Sequence, residues 1–172
     1  MQGAFGPPIA NVEQIDLDLA NRLLAAWGHT IGEIERPYGM EAYGLHAQGH
    51  FVSVAVSAST ISATAADYHR QEIVECARLC SDPAENWATR VMLRLWRECC
   101  APLWHCWPVL AAVSYHQSNR QTGNLYRFDG WEKVAEDCGS SGGGTWTKER
   151  EADAPAGGPK TLWLWRYDRE AL

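Results

Sequence analysis

The 172-residue sequence predicts one α/β domain, residues 1–172: a mixed, partly antiparallel twisted sheet with helices on both faces. Three observations predict it. Two strand-like runs, the second rich in β-branched and aromatic residues, meet at Gln48-Gly49, a signal for an antiparallel hairpin. Further on, strand, amphipathic helix and strand follow in direct succession; such a crossover is right-handed and sets its two strands parallel. The chain then closes on a short helix and two late strands, with no internal repeat. A chain of this size buries about two-thirds of its unfolded surface, enough for a single core.

The elements follow in order. In DLDLANRLLAAW, Asp16 to Trp27, the residues Leu19, Leu23 and Ala26 share a helical face. Asp16 or Asp18 stands at its start as cap or dipole partner, and Gly28 ends it. HTIGEIERPYGM is a loop punctuated by Gly32, Pro37 and Gly39. EAYGLHAQG and HFVSVAVSAST are the hairpin strands, and SASTISATAADYHRQ is a continued strand or a loop near a ligand. EIVECARLCSD, Glu72 to Asp82, is the strand entering the crossover. PAENWATRVMLRLWRECCAPLW is its helix, with Ala88, Val91, Met92, Leu95, Trp96 and Cys99 on the core side and Pro102 at its end. WPVLAAVSY is a strand apolar enough to be buried on both faces. LYRF forms the short helix, GWEKVAED and TLWLWRY the last strands, and CGSSGGGTW and ADAPAGGPK are loops.

Composition narrows the function. Charged residues at 21% and hydrophobic residues at 46% are ordinary for a folded globule. No apolar run approaches the roughly 18 residues of a membrane span, and MQGAFGPPIANVEQ lacks a signal-peptide pattern, so the expected location is cytoplasmic, with no membrane partner. A net charge of −6 counts against a protein that coats DNA while leaving room for a local basic groove. The six cysteines include no CxxC pair and read as buried thiols, not as a metal site. Nine tryptophans form a core, a base-stacking platform, or both.

Three segments carry a resemblance. ECARLCSD is similar to a Glu-x-x-Arg-aliphatic-x-x-Asp strand; NWATRVML places Asn86 and Thr89 at a helix start; and AAVSY runs through GNLYRFDGW to GPKTLW. In this order they resemble the GNAT family of acyl-coenzyme A-dependent N-acyltransferases, over Glu72 to Trp165, and within it a phage and prophage branch that includes the Mom DNA-modification proteins. The first seventy residues match in outline only. The resemblance implies a splayed central parallel strand pair, opening near Cys80 and Ser114 to admit a pantetheine arm. It further implies acetyl-coenzyme A or another acyl-coenzyme A as cofactor, and direct transfer to an amine. The acceptor implied by the branch is a nucleobase in DNA. A small-molecule or protein amine is the alternative, and a GNAT-shaped binding module without catalysis is the third.

Direct transfer needs a cradle for the acyl donor, a proton acceptor for the amine and a proton donor for the departing thiolate. The resemblance places the cradle at Leu79, Cys80, Asn86, Trp87, Ala88, Thr89 and Arg90, with Ser114 and Asn119 at the end of the following strand. Anionic oxygens are stabilised at such a helix start by unpaired N–H groups. The turn DPAENWATR departs from the family by carrying Trp87 and Thr89 where glycines are usual. Thr89 either caps the helix or meets phosphate. Arg90, Arg94 and Arg97 read as a solvated charged stripe, with Arg90 nearest the phosphate.

Tyr126 matches the tyrosine that protonates the thiolate in many members; its phenol, with a pKa near 10, suits an alkyl thiolate. The bland alternative is an aromatic packed beside Trp131. Glu75 is the best base, its basicity raised by burial, unless it is spent in an ion pair with Arg78, which would require a strand bulge. His116, read as a loop histidine, is the alternative base. Arg78, Arg120 and Trp146 are the candidates for holding the acceptor, Trp146 as a stacking face in GGGTWTKER.

Overall fold

The structure, a computed structural model, describes residues 10–138 and 158–167. Trp146 and most of the two glycine-rich loops lie outside the described residues. The elements are β1 (Ala10–Ile15), α1 (Leu17–Ala26), β2 (Met40–Ala47), β3 (His50–Ala58), the small pair β4 (Thr64–Ala65) and β5 (Tyr68–His69), β6 (Ile73–Ser81), α2 (Ala88–Leu95), β7 (Ala111–Gln117), α3 (Asn124–Asp129), β8 (Glu132–Cys138) and β9 (Lys160–Arg166). Seven strands form one sheet in the order β1-β2-β3-β6-β7-β9-β8. Among the described residues, β6 and β7 are the one neighbouring pair that runs parallel. The expected mixed α/β architecture is the one observed.

Local chemistry explains most of these elements. Gln48 and Gly49 both take positive φ, 51° and 92°, the geometry that matches a tight hairpin turn to strand twist. α1 lays Ala20 and Leu24 against Val54, Val56 and Ala58 on one face of the sheet. α2 lays Ala88, Met92 and Leu93, and the turn that continues it lays Trp96, against Val74, Cys76, Ala112 and Trp163 on the other. On β7, Ala112 faces the α2 layer while Ala111 and Val113 pack with Ala65, Ile73, Leu162 and Leu164 on the other side, so both faces are buried and the strand reads as a continuous apolar run.

Several expectations need correction. The sequence reading contains no β1, because ANVEQI is an exposed edge strand paired only to β2 and lacks a clean apolar alternation. The crossover helix is regular only to Leu95; a π turn (Trp96–Cys100) and a 3-10 turn (Ala101–Leu103) complete it. Its buried side is rotated from the one expected. Val91 and Cys99 face solvent, while Leu93, Arg97 and Cys100 are inside. Arg97 is the reason: its guanidinium is drawn in by Asp129 of α3, so the arginine stripe is not a uniformly solvated face. Of the cysteines expected to be buried, only Cys76 and Cys100 are; all the described thiols are unpaired.

Candidate active site

β6 and β7 are hydrogen-bonded over four positions, from Ile73↔Ala111 to Cys76↔Ser114, and then part. β6 continues to Ser81 and β7 to Gln117 without pairing to each other. The cause lies in β6. Its partners on β3 step from Ser57↔Cys76 to Val56↔Arg78, so Ala77 is an extra residue, a bulge that bends the strand away from β7. Ser114 closes the paired half: its hydroxyl donates to the Cys76 carbonyl at 3.1 Å. The parallel pair implied by the resemblance is present and parts beyond Cys76↔Ser114, four residues earlier on β6 than the expected Cys80, because the bulge at Ala77 turns the strand away there.

A cavity of about 420 Å³ enters this gap from the α2 and α3 side, lined by β6 from Cys76 to Ser81, Thr89, and the chain from Arg120 to Tyr126. A second cavity, of about 850 Å³, meets it from the α1 side, lined by Glu33 to Pro37, Glu75, Arg78 and Tyr115. Both reach Ala77, Arg78, Tyr115 and His116. The seam is thus accessible from both faces of the sheet.

Tyr126 sits in the first cavity. Gly123, at φ +70°, starts α3, and a Cβ there would fall 2.7 Å from Trp163 and 2.9 Å from His116. Only glycine lets the chain press this closely on the two rings. Gly130, at φ +89°, ends the helix, with the Trp131 N–H bonding the Tyr126 carbonyl. Between these two glycines the tyrosine stacks on Trp163 at 5.5 Å and meets Trp131 edge-on. Its hydroxyl lies 2.8 Å from Ser114 Oγ. Because Ser114 gives its own proton to the Cys76 carbonyl, the phenol is the donor of this pair. Burial, aided by the neighbouring Cys76, pushes the phenol well above its ordinary pKa. The side chain packs beside Trp131 and also faces the seam, so the two sequence readings coexist.

Glu75 sits in the second cavity, 6% exposed. Burial raises its pKa, opposed by the charges of Arg36, Arg78 and Lys160. The bulge at Ala77 does bring Arg78 to the same face, yet the direct ion pair is with Arg36, at 3.4 Å. Arg78 spends its donors on the carbonyls of Gly32, Ala77 and Glu33, at 2.9, 2.7 and 3.2 Å. It ties the α1–β2 loop to the bulged strand. Burial and Arg36 pull its guanidinium down to about 10.

The remaining candidates fall out unevenly. His116 belongs to β7 and is buried, not on a loop. Its Nδ1 accepts from Trp163 at 2.7 Å, which takes the lone pair a base would use, and burial lowers its pKa. Leu79, Cys80, Thr89, Ser81 and Arg120 line the first cavity. Thr89 does not cap α2; it makes a short hydrogen bond to Ser81 Oγ. Asn86, Trp87, Ala88 and Arg90 form the turn and first residues of α2 without lining the cavity, and Ala88 is core. Asn119 packs against Gly158 instead. The residues missed by the sequence reading are Arg36 and Tyr115. In the sequence Tyr115 is simply part of the apolar AAVSY strand, and only its charge marks Arg36 in a Pro- and Gly-punctuated loop.

The fit to an acyl-coenzyme A rests on the donor set. The start of α2 carries no side-chain cap; the Ala88 N–H bonds the Glu85 carbonyl at 2.9 Å, so the N–H groups of Thr89 and Arg90 are the ones that would meet an anion. Beyond Cys76, the β7-facing backbone groups of β6 have no strand partner, which suits an extended amide-bearing arm.

No protein-family model and no curated protein matches the chain. Solved structures do. The ribosomal-protein-S18-alanine N-acetyltransferase from Escherichia coli aligns over 95% of this chain and 98% of its own, at 11% identity and TM-score 0.59. yncA from Salmonella typhimurium, solved with its cofactor acetyl-CoA, aligns over 95% and 97%, at 14% identity and TM-score 0.59. A Bacillus subtilis acetyltransferase in complex with CoA aligns over 92% and 99%, at 10% identity and TM-score 0.58. At such identities the likeness establishes the fold, which is that of the GNAT acetyltransferases.

Proposed function

We propose, from a GNAT fold with an open β6–β7 seam, that the chain is an acyl-coenzyme A-dependent N-acyltransferase. One observation carries the reading: the seam has a phenol on one side and a buried carboxylate on the other. The pantetheine arm would enter by the smaller cavity, with its pyrophosphate near the first turn of α2. The acceptor amine would enter by the larger one. A bound thioester supplies the acyl group. Glu75, its basicity raised by burial, takes the proton of the attacking amine, directly or through water. Tyr126 turns its hydroxyl from Ser114 and gives a proton to the leaving sulfur. The N–C bond forms as the C–S bond breaks, with no covalent enzyme intermediate.

Acetyl-coenzyme A should raise the melting temperature; at about 100 times Kd the stabilisation is about 2.7 kcal/mol. Tyr126→Phe should lower kcat by about tenfold or more with that stabilisation retained. No thermal shift would favour the cofactor-free binding module, and unchanged turnover in Tyr126→Phe would remove the acid from the scheme.

The finer form of the proposal is a nucleobase acceptor in DNA, supported by the phage-branch resemblance. A base in a duplex must be flipped out or presented single-stranded to reach the seam. Mass spectrometry of DNA nucleosides after expression tests it, together with salt-sensitive DNA binding, the mark of phosphate contacts. Coenzyme A binding without DNA affinity at low salt would move the acceptor to a small-molecule or protein amine.

A further inference from the structure

Outside both cavities, the turn after α2 holds a second arrangement of reactive groups. Cys106 Sγ lies 3.3 Å from His105 Nε2. The other ring nitrogen, Nδ1, makes a short hydrogen bond to Glu41 Oε1. Glu41 is itself buried at the start of β2, 8% exposed, and its second oxygen accepts from Tyr43 Oη at 2.8 Å. Both carboxylate oxygens are thereby fixed, and the imidazole is held with Nδ1–H toward the carboxylate and Nε2 toward the sulfur. A nucleophile, a base and a carboxylate that orients the base form a hydrogen-bonded line, the pattern by which a weak nucleophile is activated. The backbone makes room for it. Gly39 takes φ +115°, and a Cβ there would fall 2.7 Å from Cys106 Sγ.

We propose that Cys106 is a nucleophilic thiol activated by His105 and Glu41, and that it exchanges with small disulfides. The reagent class follows from access. The ring of His105 is 59% exposed and Cys106 is half-buried, and both lie outside the two cavities at the seam, so the sulfur is open to small solutes. In the exchange, Cys106 Sγ attacks one sulfur of the disulfide. A new S–S bond forms and the old one breaks; the thiol proton passes to His105 Nε2 and then to the leaving thiolate. The protein thiol is oxidised to a mixed disulfide, and half of the reagent is reduced to a thiol. Glu41 stabilises the imidazolium while it carries the proton. Burial and the Glu41 charge raise the pKa of Cys106, so the proton stays on sulfur at rest and leaves only with a base in place.

The full chain, treated with oxidised glutathione and mapped by peptide mass spectrometry, tests this. Cys99, an exposed thiol on the same segment, is the internal control. Cys106 should acquire the glutathionyl group about tenfold faster than Cys99 or more. His105→Ala, a change at an exposed ring, should abolish that advantage without altering Cys99. Added imidazole should restore part of it, which a purely structural histidine would not allow. Equal rates at the two thiols, or a Cys106 rate indifferent to His105→Ala, would overturn the proposal.

Discussion

Arg97–Asp129 and Arg36–Glu75 are both guanidinium–carboxylate pairs withdrawn from water, and they differ in how completely each is satisfied. Asp129 receives Arg97 Nε at 2.6 Å, Arg94 Nε at 3.0 Å and Trp131 Nε1 at 3.1 Å. Arg97 also lies 3.8 Å over the Trp165 ring. Every strong donor and acceptor there has a partner, so the group behaves as a rivet between α2 and α3. Glu75 has one ion-pair contact, at 3.4 Å, and Arg36 leaves its Nη1 buried and unpartnered. Its carboxyl is consequently displaced toward the neutral form by burial. A fully satisfied buried pair holds structure; an under-satisfied one facing a cavity holds a proton that chemistry can use.

Substitutions break this comparison in a definite order. Asp129→Asn removes the buried countercharge of Arg97, leaving only the half-exposed Glu98 beside it, and should cost about 3 kcal/mol of stability, read by denaturant unfolding. A loss below about 1 kcal/mol would mean the rivet is not one. Glu75→Gln should lower kcat about 100-fold, close to 2.7 kcal/mol of barrier, while moving the melting temperature less than Asp129→Asn does. A variant that keeps its turnover would remove Glu75 as the base. The smallest effect is expected from Arg36→Leu. A base acts only when deprotonated, so activity falls as pH drops through the Glu75 pKa, which burial sets above the ordinary carboxylate range. Arg36 holds that value down, so its removal should move the acid limb of kcat/KM to higher pH. A limb that stays in place or moves to lower pH would show that Arg36 and Glu75 are not coupled.

Parts of this contrast were legible in the residues themselves. Hydrophobic alternation and the Gln48-Gly49 turn mark the β2–β3 hairpin, and the apolar runs on either side of an amphipathic helix mark the parallel crossover. Those signals are local, and local signals survive into the fold. The face of α2 was legible only to within one position, because a core stripe one step round is equally apolar until Asp129 draws Arg97 inward. β1 was not legible at all, since an exposed edge strand needs no apolar pattern. Nothing in YHQ distinguishes a strand end from a turn, so His116 reads as a loop residue; the bond from Trp163, 47 positions away, decides it. Arg36 became visible only when the α1–β2 loop folded over β6.

The order of elements, the hairpin turn and the short tyrosine-bearing helix between two glycines follow from the chain's own chemistry, since each depends on neighbours a few residues apart. Where the seam opens, and what faces it, does not. The extra residue at Ala77 shifts the side-chain alternation of β6, and whether a strand carries such a residue is settled by its pairing with β3. That pairing turns Arg78 to the side of Glu75, parts β6 from β7, and leaves a phenol and a carboxylate looking into one gap from opposite faces of a sheet.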